Sequence, residues 1–117
     1  MPGRRAVHER SGEVLAEDLE MATNVVSLFM GLMFRRTLDP GRGLWLVPCN
    51  GIHMMFMRFP IDAVFLDRKE RVKQVYRRLP PWWGVVWLVW GAHSVLELPP
   101  GSTDAIDLQR GDQLIIA

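Results

Sequence analysis

Glycine and proline punctuate this chain at roughly every ten residues, leaving short apolar runs between turns. Such spacing excludes a bundle of long helices and suits short strands joined by tight connections. The expected fold is mainly β: a compact antiparallel β-sandwich or flattened barrel. One short helix is expected near residues 24–35, where Thr23 or Asn24 caps "VVSLFMGLMFRR" and Val25, Leu28, Phe29 and Leu32 fall on one face. A helical turn is expected near 102–107, opened by Ser102 or Thr103.

The first strand is expected around Glu13 to Leu19, which leaves residues 1–12 as a flexible N-terminal segment. "LDPGRG" has the chemistry of a turn, and "LWLVP" reads as a strand ended by Pro48. "GIHMMFM" and "IDAVFLD" follow as strands around the bend "RFP". In "RVKQVYRRL", after the polar turn "DRKE", Val72 and Val75 break simple alternation and mark a bulge. "HSVLELP" and a closing segment after Gly111 complete the strands.

The length of 117 residues fits a single domain spanning 1–117, with enough core to fold without metal or disulfide staples. A hydrophobic content of 49% and a charged content of 23% argue against disorder, and a net charge of +1 exerts no global pull on nucleic acid or membrane. With one cysteine, Cys49, no intrachain disulfide forms. The polar N-terminus lacks the apolar core of a secretory signal, so the expected location is cytoplasmic.

Chemistry-bearing side chains concentrate in "PCNGIHMMFMRFPIDAVFLD", Pro48 to Asp67. In an extended strand, His53, Met55 and Met57 share one face and Ile52, Met54 and Phe56 the other, as in a central strand covered on both sides. Arg58 and Asp62 flank the bend "RFPID" and are close enough to pair. An arginine beside a cavity also binds a carboxylate or phosphate through a bidentate fork. His53, Arg58 and Asp62 are therefore the expected binding residues.

Cys49, His53 and Asp62 are the right residue types for a metal-binding or cysteine-dependent enzyme, but their spacing matches no local signature. Met30, Met33, Met54, Met55 and Met57 are types that copper(I) accepts, though methionine is also an ordinary filler of cores, the reading favoured here. The segment from Asp67 to Arg78 holds six basic residues, two acidic residues and one tyrosine. It reads as a solvated hairpin rather than a nucleic-acid surface, given the near-neutral net charge. The longest uncharged run, "WWGVVWLVWGA" from Trp82 to Ala92, is too short to span a bilayer as a helix. It fits a buried or interface sheet, with an interfacial membrane contact as the lesser reading.

Four segments in order carry a resemblance: "GLMFRRTL", "GLWLVPCNGIHMMFMRFPIDAVFLD", "GAHSVLELPPGS" and "LQRGDQL". Together they closely resemble domain-of-unknown-function family 192, a family of small bacterial and archaeal proteins, over nearly the whole chain from about Glu13. The resemblance implies a compact β-rich sandwich or flattened barrel with little helix, and supplies neither a reaction nor a cofactor. Several relatives look exported behind a signal peptide, and none is expected on this chain. Relatives often carry Thr where Met54 follows His53, and the Trp82–Ala92 region is more apolar here than is usual among them.

The function expected is a small binding or interaction module whose polar pocket near His53, Arg58 and Asp62 takes a small anionic ligand or a peptide. The alternatives are an enzyme or metalloprotein using Cys49, His53 and Asp62, and a structural subunit that covers Trp82, Trp83, Trp87 and Trp90 with a protein partner.

Overall fold

The computed structural model describes residues 4–117 and, within the helix, all side chains but those of Val25 and Phe29. In chain order its elements are β1 (Arg4–His8), β2 (Val14–Ala22), α1 (Val25–Met30), β3 (Arg42–Leu46), β4 (Ile52–His53), β5 (Ile61–Leu66), β6 (Val72–Leu79), β7 (Val85–Val86), β8 (Ser94–Leu98) and β9 (Leu114–Ile116). Seven strands form one sheet in the order β6-β5-β8-β3-β2-β1-β9, and β4 pairs with β7 in a small second sheet. The large sheet curls into a half-barrel. Its rim comes round on itself: Arg71 bridges Gln113, and Val72 N–H donates to the Asp112 carbonyl at 2.8 Å.

Every pairing is antiparallel except β2 with β3, which run parallel from Asp18↔Arg42 to Ala22↔Leu46. A parallel pair needs a crossover, and the segment from Thr23 to Gly41 supplies it with α1 inside. Asn24 caps that helix, its side chain accepting from Ser27 N–H at 2.8 Å while Ser27 Oγ accepts from Asn24 N–H. The helix ends far short of residue 35 because Gly31 takes a left-handed φ of +48° and its N–H closes on the Ser27 carbonyl. Of the residues expected on its inner face, Leu28 is half-buried and Leu32, just past the helix, is buried. Val25 and Phe29 fall outside the described side chains.

Two cores flank the large sheet. Trp45, Val64, Leu66, Leu96 and Leu98 point to one, and Leu44, Leu46, Ile61, Ala63, Phe65 and Val95 to the other. Alternation along β3, β5 and β8 therefore fills both faces, and these strands are covered on both sides. The small sheet and the segment 54–57 cover the second core through Met54, Met57 and Val86.

Several local expectations are corrected. Arg4–His8, inside the segment read as flexible, is a strand between β2 and β9. Few of its residues are apolar, so the hydrophobic pattern does not mark it, and its inward His8 bonds Asp112, 104 positions away. Residues 1–3 lie outside the described residues. The strand expected through Met57 stops at His53: Met57 N–H turns back to the Met54 carbonyl, and Phe56 sits at φ +64°. Met54 and Met57 are thus buried while Met55 and Phe56 are exposed, which replaces the expected division of faces. The helical turn expected at 102–107 is present as consecutive turns with i→i+3 bonds, Asp104 N–H to the Gly101 carbonyl and Ile106 N–H to the Thr103 carbonyl, while Thr103 gives its own N–H and hydroxyl to Asp62.

Asp62 explains that last arrangement. It lies fully buried on β5, on the face shared by Val64 and Leu66, and accepts from Arg78 N–H, Gly101 N–H, Thr103 N–H and Thr103 Oγ1. Arg78 stands at φ +53° in the irregular stretch where Ile61↔Leu79 and Ala63↔Tyr76 fall out of step, which aims its amide at this carboxylate; the bulge expected between Val72 and Val75 is a separate irregularity, where Phe65↔Gln74 gives way to Leu66↔Val72. A buried carboxylate satisfied by four donors fixes the Arg78 stretch of β6 and the 99–104 turn against β5. Asp62→Ala should lower stability by about 3–5 kcal/mol and Thr103→Val by about 1 kcal/mol, because the first strands three amides and the second removes one hydroxyl. Urea unfolding of both variants checks the order and the size of the two losses.

Candidate functional site

The second core is incompletely filled where β8, β3, β4 and the loop after α1 converge. A cavity of about 60 Å³ opens there. Leu28, Leu32, Leu46, Ile52 and Met57 supply apolar wall, and Cys49, His53 and Glu97 supply polar groups. Each arrives for a local reason. Glu97 shares the Val95 face of β8, since alternation sends Leu96 and Leu98 to the other core. His53 ends β4, paired with Val85 of β7. Cys49 follows the cis Val47–Pro48 bond, its N–H donating to the His93 carbonyl and its thiol to the Gly51 carbonyl at 3.0 Å.

Two glycines keep the walls close. A Cβ at Gly31 would stand 3.2 Å from Glu97 Oε1, and one at Gly51 would stand 2.4 Å from the Trp87 carbonyl oxygen. Gly51 therefore allows β4 and β7 to approach at a distance no other residue permits.

Glu97 is the unusual group. It is 4% exposed, and its cross-strand neighbours Ala63 and Leu44 are apolar. Among the described residues no hydrogen bond reaches its carboxyl, which separates it from Asp62 on the opposite face of the sheet. Burial pushes its pKa from 4.5 up to about 7, and the positive charge of Arg35 offsets part of that rise. The Cys49 thiol is also raised, above all by burial and in smaller part by the nearby Glu97 charge. A thiol held up in this way is a poor nucleophile.

Of the three residues expected to form one binding site, only His53 lines the cavity. Arg58 is exposed on the bend before β5, and Asp62 is committed to the turn on the far face. Arg58 and Asp62 form no ion pair among the described residues. Cys49 and His53 do meet at one cavity, whereas Asp62 is separated from them by the sheet. Among the described residues no three His, Cys, Asp or Glu side chains are grouped so as to hold a metal. Met30, Met33 and Met57 line the cavity, while Met55 is exposed and Met54 packs in the core. Glu97 was not singled out from sequence. Its signal was there: one carboxylate inside "SVLEL", a run otherwise fit for a strand buried on both faces.

The model of the DUF192 family, described as Uncharacterized ACR, matches residues 6–116. The chain belongs to the DUF192 family. A UPF0127 protein of Pyrococcus furiosus is 30% identical over 109 residues, covering 88% of this chain and 90% of that protein. Another UPF0127 protein, from Thermococcus sibiricus, is 26% identical over 113 residues, covering 92% of this chain and 71% of the relative. A crystal structure of a protein of unknown function from Novosphingobium aromaticivorans superposes with a TM-score of 0.81 at 20% identity, covering 96% of this chain and 82% of that one. That likeness concerns the fold: this DUF192 chain shares the β-rich architecture of that structure.

The raised carboxyl makes a pH prediction for this DUF192 protein. A folded-state pKa above the unfolded one means that the folded protein holds the proton more tightly. The resulting stabilisation is complete below pH 4.5 and is lost as pH rises through about 7. The interval corresponds to about 3 kcal/mol. In urea unfolding at pH 5 and pH 8, wild type should lose stability over that window and Glu97→Gln should lose less by about this amount. Equal slopes for the two proteins would show that Glu97 does not titrate in the window.

Proposed function

We propose that this DUF192 protein is a small-ligand-binding module whose recognition site is the cavity against β8. Glu97 is the polar anchor, and His53 and Cys49 lie beside it in the wall. The observation that carries the reading is the Glu97 carboxyl, which belongs to a residue only 4% exposed, faces the cavity and receives no hydrogen bond among the described residues. Burying such a group uncompensated costs free energy, and a bound donor removes the cost. The lining offers a carboxyl and no cation, since Arg58 is outside it. The chemistry therefore favours a donor group, an amine or amide on a short apolar body, over the small anion suggested by Arg58 in the sequence. A volume of about 60 Å³ fits a group of a few heavy atoms, well below an ordinary drug-sized pocket of about 300 Å³ or more. The ligand is thus a small amine or one side chain of a larger partner.

Thermal unfolding at pH 8 with ethylammonium, and with acetate as the control, tests this. Ethylammonium at about 100 times its dissociation constant should stabilise wild type by about 2.7 kcal/mol, acetate should leave it unchanged, and Glu97→Gln should abolish the response. An equal response of the Glu97→Gln variant would overturn the reading.

One observation supports a second reading. Met30, Met33 and Met57 border the same space as Cys49 and His53, a soft donor set of the kind copper(I) favours. Copper(I) titration against a chelator separates the two. An ion held by thioethers should be lost in Met57→Leu and kept in Glu97→Gln, the reverse of the amine result.

A further inference from the structure

The run from Trp82 to Ala92 reads in the sequence as buried or interface sheet; only Val85–Val86 is strand, and the side chains largely face outward. Trp83, Trp87 and Trp90 are 86%, 88% and 82% exposed, and Trp82 is half exposed. Trp82 packs edge-on against Phe56 at 4.9 Å between ring centroids, and Phe56 packs on Phe34 at 5.2 Å, so the surface continues beyond the run. An exposed apolar surface of this extent marks an interaction site.

Charge identifies the occupant. Along the chain, the stretches on either side of these aromatics, residues 21–38, 40–61 and 72–96, contain no Asp or Glu. They carry Arg35, Arg36, Arg42, Arg58, Lys73, Arg77 and Arg78. Arg35, Arg42 and Arg78 are paired with Glu20, Asp18 and Asp104. Among the described residues Arg36, Arg58, Lys73 and Arg77 form no ion pair. Arg58 lies two residues beyond Phe56 in the chain, and the Lys73 stem runs against Gly91 beside Trp90, its Nζ 3.1 Å from where a Cβ would stand. Although the net charge is only +1, the sequence places the acidic residues outside these stretches.

Tryptophan prefers the boundary between hydrocarbon and headgroups, and lysine and arginine beside it attract anionic lipid. We propose that this face docks on an anionic lipid bilayer, with Trp83, Trp87 and Trp90 in the headgroup layer and Arg58 and Lys73 against lipid phosphates. The docking is peripheral, because no helix among the described residues is long and apolar enough to cross a membrane. It does not depend on the cavity reading.

Vesicle co-sedimentation with the full chain tests it. Wild type should sediment with phosphatidylglycerol-containing vesicles at least about tenfold more strongly than with pure phosphatidylcholine, with a blue shift in Trp emission. Arg58→Glu with Lys73→Glu should weaken binding by about tenfold or more. Trp83→Ser, Trp87→Ser and Trp90→Ser combined should abolish it while circular dichroism stays unchanged. Glu97→Gln should bind vesicles as wild type does, which keeps this test separate from that of the cavity. Equal binding to both lipids, or binding that survives loss of the three tryptophans, overturns the proposal. So does a wild type that ignores vesicles: if sedimentation velocity then shows a dimer lost in the triple variant, the face belongs to a second copy, and if it shows a monomer, to a protein partner.

Discussion

Strand β8 lies between β3 and β5 with all five of its residues, Ser94–Leu98, buried. A strand in that position has no solvent face to which it can send a polar side chain. Alternation commits Leu96 and Leu98 to one core and Val95 and Glu97 to the other, so a carboxyl must be accommodated inside. Its cross-strand neighbours, Leu44 and Ala63, offer no donor. The space around it stays open because Gly31, which faces Glu97 Oε1, has no side chain. The cavity is thus a consequence of one acidic residue in a strand that the fold covers on both sides.

Asp62 meets the same constraint with the opposite outcome. It pairs across from Leu98, one register step from Glu97, and so faces the other core. There the Arg78 bulge and the turn through Thr103 bring four donors to it. Two carboxylates within two register positions are therefore distinguished by what the chain places opposite them. The satisfied one holds the fold together, and the unsatisfied one has the character of a site.

Turn chemistry was the most legible feature of the sequence. Asn24 as a helix cap, the Asp67 turn whose side chain accepts from Lys69 and Arg71 N–H, and the irregular β6 all follow from local residue preferences. Period-two reasoning failed over "IHMMFM", where burial of Met54 and Met57 fits a turn as readily as a strand and the deciding feature, a left-handed Phe56, has no sequence signal. It failed again over Trp82–Ala92, because an uncharged run reads alike whether it is covered by sheet or held out on a loop. The parallel β2–β3 pair and the β1 pairing with β9 join residues far apart in sequence, which local patterns do not encode. The candidate site was legible in part: His53 and Cys49 are of the right types in the right segment, whereas Arg58 and Asp62 were grouped with His53 by proximity in sequence, and the sheet then sent them elsewhere.

The small sheet links the two surfaces that matter. Its inner side, with Ile52 and Val86, closes the cavity and the second core, and its other side presents Val85 and Trp87. A two-stranded sheet of this length has little stability of its own and depends on what it covers. Here it is anchored inward by Met54 and Met57, by the close Gly51–Trp87 approach, and by bonds from Met54 N–H to Gly84 and from Trp82 N–H to Met54. Those anchors fix the tryptophans without enclosing them, which explains how a loop this apolar stays outside the core. A ligand in the cavity would press on one side of this layer and a bilayer on the other. The layer is held by fewer backbone pairs than any strand of the main sheet.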